Sequence, residues 1–386
     1  MGHALDVDQG FMRRALELAR MNLGRTRPNP TVGCVIVNGG CVVGEGVTSA
    51  GGRPHAETLA LAGAGERARR ATAYVSFEPC AHFGRTPPCV QALVQAGVKR
   101  VVIGCRDPYP PVRGRGVAHL RRAGIEVAVG VLEDECKRLN EGFITRVTKG
   151  RPFVILKLAL TLDGRIASAR GDSRWISSPQ SRQLVHRWRG ECDAVMVGAN
   201  TVIADDPRLT CRVRPGRDPV RVVLDGALRT SAAARVFRQS STAPALLFTA
   251  PHNLERARRR HAGDRVDVLS APVRDGGLAP EAVMRELARR GFCTVLLEGG
   301  AHLGGSALAA KVVDRVAFFV APKILGGGLA AVEGLDFSVG ESIRLNDLRA
   351  RAVGADWLIE GRVAPSGRRR IVRRRGLRLN AARPPF

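Results

Sequence analysis

Two α/β domains in tandem are what this sequence predicts. The chain has 386 residues, room for two domains of about 150 residues each. Short β-branched runs alternate with amphipathic stretches along most of it. The alternation breaks at Lys149-Gly150-Arg151-Pro152 and then starts afresh. Residues 1–149 and 150–365 are therefore expected to be separate domains. Hydrophobic residues make up 45 % and charged residues 25 %, the balance of a folded globular protein. Extended disorder, coiled-coil repetition and a small disulfide scaffold are excluded. No stretch nears the roughly 20 unbroken apolar residues of a membrane helix. Residues 1–9 carry Asp6 and Asp8 and no apolar run, unlike a secretory signal. Nine scattered cysteines in a chain with its own core indicate a reducing, cytoplasmic setting.

The formal charge of +26 is carried by 55 arginines and only six lysines. Beside abundant Ala and Gly, that skew fits a coding bias better than selection for a polyanion. Eight arginines and no acids fall in residues 366–386, read as a disordered tail. The 17 aromatics are few for a base-stacking platform, so a nucleic-acid partner is not expected. A basic surface attracts phosphorylated small molecules equally well.

In order along the chain, residues 11–21 place apolar side chains at helical spacing. Strands are expected at 31–37 and 41–43, joined by the hairpin signal Asn38-Gly39-Gly40. A helix from His55, a strand at 73–77, a helix near 90–96 and a strand at 100–105 follow. A helix around 117–123, a strand at 126–129 and one helix over 133–146 complete the first domain. The second opens with a strand at 153–160. Ser178-Pro179 supplies an N-cap and a first-turn proline for a helix to about Arg189. Buried strands are expected at 194–197, 220–224, 245–248, 294–297 and 313–320, a helix at 280–290, and a closing strand at 357–363.

The sharpest chemical signal is His55-Ala56-Glu57, then Pro79-Cys80, then Cys89. One imidazole and two thiolates give zinc three ligands and leave a fourth position for water, the pattern of a catalytic site. Glu57 lies two residues beyond the histidine, placed to move a proton without ligating, as in zinc nucleobase deaminases. A structural site would need a fourth protein ligand, and His82 is the nearest candidate. The cysteines are spaced Cys-x8-Cys, not Cys-x2-Cys, so eight residues must loop out between them.

Arg27-Pro28-Asn29-Pro30-Thr31-Val32-Gly33, His55-Ala56-Glu57 and the run from Glu78 to Cys89 with Gly84-Arg85-Thr86-Pro87-Pro88 inside it resemble the deaminase half of the bifunctional riboflavin-biosynthesis deaminase/reductase family. The resemblance implies a cytidine deaminase-like α/β/α domain with a mixed sheet and zinc at two helix starts. It implies hydrolytic deamination of a diaminopyrimidinone bearing a ribosylamino 5′-phosphate. His55, Cys80 and Cys89 would hold Zn2+, and Glu57 would carry the proton. Asn29, His82 and Arg85 would meet the substrate, Arg85 as a two-pronged phosphate clasp or as a merely solvated side chain. Asp107-Pro108-Tyr109-Pro110 is similar to a family loop that more often has Asn at the Tyr109 position.

The second half carries its own matching runs: Lys157-Leu158-Ala159, Asp163-Gly164-Arg165, Gly171-Asp172-Ser173-Arg174-Trp175, Ala204-Asp205-Asp206-Pro207-Arg208-Leu209-Thr210 and Glu298-Gly299-Gly300 with Gly304-Gly305-Ser306. They resemble the family's reductase, which implies a dihydrofolate reductase-like α/β fold and NADPH reduction of a ribosyl to a ribityl group. By position, Ala159, Trp175, Thr201, Asp205 and Gly300, Ala301, His302, Leu303, Gly304, Gly305 and Ser306 would line NADPH. Ser173, Arg189, Leu209, Arg212 and Glu298 would line the substrate. From the residues alone, the glycine run after strand 294–297 is either a phosphate loop or a tight turn. Trp175 fits a cofactor face or core packing equally. Family members are commonly oligomeric, so a homo-oligomer is expected. A tRNA-type deaminase with an accessory domain, or a non-enzymatic protein on structural zinc, are the competing classes.

Overall fold

The computed structural model describes residues 2–365 except 85, 86, 111, 215, 239, 240, 242 and 264. Arg85 and the Arg-rich stretch 366–386 lie outside the described residues. The first half runs α1 (Gly2–Met21), β1 (Gly33–Asn38), β2 (Cys41–Val47), α2 (Ala56–Ala64), β3 (Thr72–Phe77), α3 (Cys89–Gln95), β4 (Arg100–Cys105), α4 (Arg115–Arg122), β5 (Glu126–Val129), α5 (Glu133–Leu139) and α6 (Glu141–Lys149). Its strands form one sheet in the order β2-β1-β3-β4-β5. β1 runs antiparallel to β2 and β3, whereas β3, β4 and β5 are parallel. The sheet is mixed, as expected. Its core gathers Met12 and Leu16 of α1 with Ile36, Val75, Leu93 and Ile103.

Helix α1 begins well before the apolar periodicity does. Asp8, which a hydrophobic pattern does not count, turns inward and accepts hydrogen bonds from the Tyr74 hydroxyl (2.9 Å) and from both Arg100 terminal nitrogens (2.8 Å each). The single helix expected over 133–146 is two. At the break, Asn140 exchanges two hydrogen bonds with the Thr31 backbone, its Oδ1 accepting from the amide (2.8 Å) and its Nδ2 donating to the carbonyl (2.9 Å). Asn140 itself leaves the helical region there, at φ −108° and ψ 19°.

The second half contains β6 (Phe153–Thr161), β7 (Arg165–Ala167), α7 (Pro179–Glu191), β8 (Ala194–Gly198), α8 (Ala199–Asp205), β9 (Val220–Leu224), β10 (Ala245–Thr249), α9 (Leu254–Arg260) and β11 (Val266–Ser270). It continues with the small hairpin β12 (Val273–Arg274) and β13 (Gly277–Leu278), α10 (Pro280–Arg289), β14 (Thr294–Leu297), α11 (Ala301–Ala309), β15 (Arg315–Ala321), β16 (Leu329–Ala330), β17 (Leu345–Val353) and β18 (Asp356–Val363). Nine strands form one sheet, β11-β10-β9-β8-β14-β6-β15-β18-β17. The first seven are parallel and the last two antiparallel. Ser178 caps α7 as expected, its hydroxyl accepting from the Ser181 amide. β18 does not close the sheet, because β17 lies outside it. Most of β17 is exposed, so it lacks the buried apolar run that marks a strand.

Charge joins the halves. Asp314, almost wholly buried, accepts from Arg151 at 2.5 and 2.8 Å, from Lys149 at 3.0 Å and from the Val154 amide at 3.0 Å. Glu141 of α6 meets Arg315 and Arg362 of the large sheet. Gly142 is in such close contact that a Cβ there would lie 2.4 Å from the Thr294 methyl.

The Arg100 hydrogen bond holds the Asp8 carboxyl below its usual pKa, against the opposing effect of burial. A depressed carboxylate contributes stability above its unfolded pKa of about 3.9, and the contribution is lost as pH falls through the folded value. Asp8→Asn should therefore cost about 2 kcal/mol at neutral pH, less than for a fully buried pair because Arg100 keeps 26 % of its side chain in solvent. Urea denaturation should show that gap between mutant and parent narrowing at about pH 3.

Candidate functional site

Two glycines in β2 set the position of His55. A Cβ at Gly44 or Gly46 would lie 2.2 Å from the carbonyl of Ala60 or Ala56, so α2 rests directly on the strand. His55 is the extended N-cap of that helix, and its Nδ1 faces the two sulfurs: 3.2 Å to Cys89 Sγ and 3.6 Å to Cys80 Sγ. The Cys89 amide donates to Cys80 Sγ at 3.3 Å. One donor atom from each residue lies within 4.8 Å of the others. His55 and Cys89 stand at helix starts, but Cys80 does not. α3 begins at Cys89, because Pro87-Pro88 keeps the chain extended until then. Cys80 sits in the non-helical segment beyond β3.

The donor set suits zinc. Cys80 Sγ is pulled down to about 4 by a hydrogen bond from the Cys89 thiol and by His55, despite burial. Cys89 is pushed up by the same shared hydrogen bond and by burial. Metal binding needs both sulfurs as thiolates, so a divalent ion takes the place of the proton on Cys89. His55 is raised, first by its bond to Cys80. Glu57, on the first turn of α2, is 3 % exposed and burial lifts its carboxyl above the usual range. It stays outside the donor cluster. His82 is exposed and also outside it, so among the described residues the fourth position has no protein ligand.

Asn29 is tied to the segment leading into His55 through its Nδ2, which donates to the Gly52 carbonyl at 2.9 Å. His82 meets the Tyr109 ring edge-on at 6.5 Å. The residue that departs from the commoner Asn therefore stands over the cysteine loop. Asp107, buried and accepting from the Tyr109 amide, is raised to about 7 by desolvation.

In the second half, Arg189 of α7 and Glu298 after β14 form a half-buried two-pronged pair at 2.6 and 2.9 Å. Burial would raise Glu298, but the Arg189 charge and hydrogen bonds outweigh it and hold the carboxyl low. Lys157, on the neighbouring β6, is lowered by burial. Arg189 also donates to the Thr210 carbonyl (3.2 Å), which His186 Nδ1 approaches to 3.1 Å. Nothing in the sequence singled out His186. Leu209, beside Thr210, is buried with φ 55°, and Arg212 is exposed.

Ser173 Oγ donates to Asp205 Oδ1 at 3.4 Å, and Arg174 donates to the Asp205 carbonyl at 2.6 Å. Trp175 is 64 % exposed, which excludes core packing. Arg182 lies over its ring at 4.4 Å, and Lys323 donates to its carbonyl at 2.5 Å. Ala159 is half-buried at mid-sheet. Thr201 of α8 reaches within 3.8 Å of a Cβ built on Gly300.

The expected glycine loop is largely helix. Gly300 is the N-cap of α11, and Ala301, His302, Leu303, Gly304, Gly305 and Ser306 are in it. Gly305 is required by packing, since its Cβ would lie 1.7 Å from the Glu333 carbonyl. The first amides of α11 nevertheless follow the C-terminal end of β14, and such a helix start can receive a cofactor phosphate.

Residues 5–105 match the cytidine and deoxycytidylate deaminase zinc-binding region, and residues 152–359 match the RibD C-terminal domain. Riboflavin biosynthesis protein RibD of Aquifex aeolicus is 42 % identical over 355 residues, covering 92 % of this chain and 98 % of the relative. The Synechocystis protein of the same name is 44 % identical over 357 residues, covering 92 % and 96 %. A Thermotoga maritima crystal structure, described as a diaminohydroxyphosphoribosylaminopyrimidine deaminase and 5-amino-6-(5-phosphoribosylamino)uracil reductase, superposes with a TM-score of 0.83 at 40 % identity, over 94 % of this chain and all of that one. With a thiolate–imidazole cluster in one half and a dihydrofolate reductase-like sheet in the other, this chain belongs to the RibD family of bifunctional riboflavin-biosynthesis enzymes, a zinc-dependent deaminase joined to an NADPH-dependent reductase.

Proposed function

We propose that His55, Cys80 and Cys89 hold the zinc of the deaminase and that Glu57 is its proton carrier. The convergence of three donors within 4.8 Å beside a buried, non-ligating carboxylate supports this. Zinc, when bound, supplies the Lewis acidity that brings a water pKa to about 7. Glu57 accepts a proton from water, delivers it to the ring nitrogen next to the amino-bearing carbon, and assists departure of ammonia as that carbon gains its carbonyl oxygen. Burial favours the protonated carboxyl, which suits a group that must both take and return a proton. Asn29, His82 and Arg85 orient the phosphorylated pyrimidine.

In the reductase, Arg189 and Glu298 form the floor of the substrate site, with Ser173, Leu209 and Arg212 at its sides. Ala159, Trp175, Thr201, Asp205 and residues 300–306 line NADPH, whose hydride does the chemistry while the protein orients it. The exposed face of Trp175 and the amides opening α11 support that assignment. We assign residues 1–149 to the deaminase and 150–365 to the reductase, in a cytoplasmic homo-oligomer. No helix among the described residues is long and apolar enough to cross a membrane.

With the aminopyrimidine phosphate and NADPH, purified protein should release ammonia and consume cofactor absorbance; absence of the first would refute the deaminase assignment. Glu57→Gln should lower ammonia release by at least about 100-fold, the scale of a lost general acid–base, and keep zinc by elemental analysis. Cys80→Ser should lose stoichiometric zinc. Glu298→Gln removes the counter-charge of half-buried Arg189, so reductase kcat/KM should fall about tenfold or more while ammonia release is unchanged.

A further inference from the structure

Glu78 is 4 % exposed and lies two residues before Cys80, yet it neither joins the donor cluster nor meets a cation in any contact of the described residues. Its carboxylate is occupied by backbone amides instead. Oε2 accepts from Asp107 N at 3.2 Å and from Gly114 N at 3.1 Å, and Oε1 accepts from Val117 N at 3.2 Å. Asp107 and Gly114 are the two ends of the loop between β4 and α4. Gly114 is also the N-cap of α4 and Val117 its third residue, so the same carboxylate satisfies amides that a helix start leaves without partners. In a capping box the helix supplies such a carboxylate from its own first turn; here a distant strand end supplies it. A negative group is also favoured at that end of the helix dipole.

The loop so closed borders the cysteine segment. Its Tyr109 ring meets His82, and the Asp107 carboxylate accepts from the Tyr109 amide at 2.8 Å. Helix α4 is drawn against the turn that carries Cys80, since a Cβ at Gly116 would lie 2.3 Å from the Pro79 carbonyl and 3.2 Å from the Glu78 side chain. One side chain therefore links Asp107 and Gly114, and through Asp107 the Tyr109 ring, to the segment that supplies a metal donor.

We propose that Glu78 is a positioning residue of the deaminase: by clamping both ends of the 107–114 loop, it sets Asp107 and Tyr109 against the cysteine segment where they border the bound pyrimidine. The proposal rests on the assignment of the His55–Cys80–Cys89 cluster as the deaminase centre. A carboxylate accepts on both oxygens, and a glutamate has the reach to meet all three amides. Glutamine turns a donor toward at least one of the three amides and releases part of the loop.

The experiment compares the parent chain with Glu78→Gln and Glu78→Asp, using the full-length protein with zinc. Aspartate keeps the charge but falls one methylene short. Deaminase KM should rise about 10- to 100-fold in Glu78→Gln and less in Glu78→Asp, with kcat nearly unchanged, because binding contacts are lost equally in ground and transition states. Hydrogen exchange should quicken at the Asp107, Gly114 and Val117 amides. Zinc content and reductase rate, read on the same samples, should match the parent. Parent-like KM despite faster exchange overturns the proposal, as does loss of zinc together with kcat, which would place Glu78 in the metal cradle. If Glu78→Gln does not fold, parent-like KM in Glu78→Asp with quickened exchange overturns it equally. A parent chain that holds zinc but releases no ammonia refutes the underlying deaminase assignment instead.

Discussion

The contact on which the first active site depends is the seating of α2 on β2. Two sulfurs and an imidazole from positions 55, 80 and 89 meet only if the start of that helix reaches the C-terminal edge of β3. A side chain at Gly44 or Gly46 would collide with the helix backbone and lift it away. The glycines therefore act on the chemistry without touching it. Burial of Glu57 follows from the same contact, because the first turn of α2 is pressed between sheet and cysteines.

The second domain uses a different device. Its parallel strands bring Lys157 and Glu298 side by side ahead of the start of α11, and a half-buried ion pair ties α7 to the end of β14. Arg189 and Glu298 are costly to desolvate separately, but each satisfies the other and the remaining donor goes to a carbonyl. The sheet-wide alternation of strand and helix places these groups, and local hydrogen bonds orient them.

Much of this was legible in the sequence because the signals were chemical and close together. The His-Ala-Glu triplet, the Pro-Cys and the second Cys announce a metal whatever the fold, and strands with continuous β-branched runs lie where they were expected. What escaped were features set by tertiary contact. Asn140 breaks a helix because Thr31, over a hundred positions away, offers its backbone. Cys80 lies outside a helix because two prolines intervene before Cys89. β17 is mostly exposed and carries no apolar run. Gly305 looked like part of a phosphate loop, but its lack of a side chain answers to the Glu333 carbonyl. Glu78 was quoted as part of a motif, yet its three amide partners lie 29 to 39 positions downstream and leave no trace in local spacing.

The seam between the halves bears on how the chain can be divided. Helix α6 is continuous with the deaminase, but its Glu141 meets arginines of the other domain, and Lys149 and Arg151 neutralise Asp314, next to one of those arginines. Scission at Gly150 would part Glu141 from Arg315 and Arg362, and Lys149 from Asp314, while Arg151 stays with Asp314. The two catalysts are thus joined by ion pairs as well as by the peptide bond, and division of the chain exposes Glu141 and Arg315 to solvent.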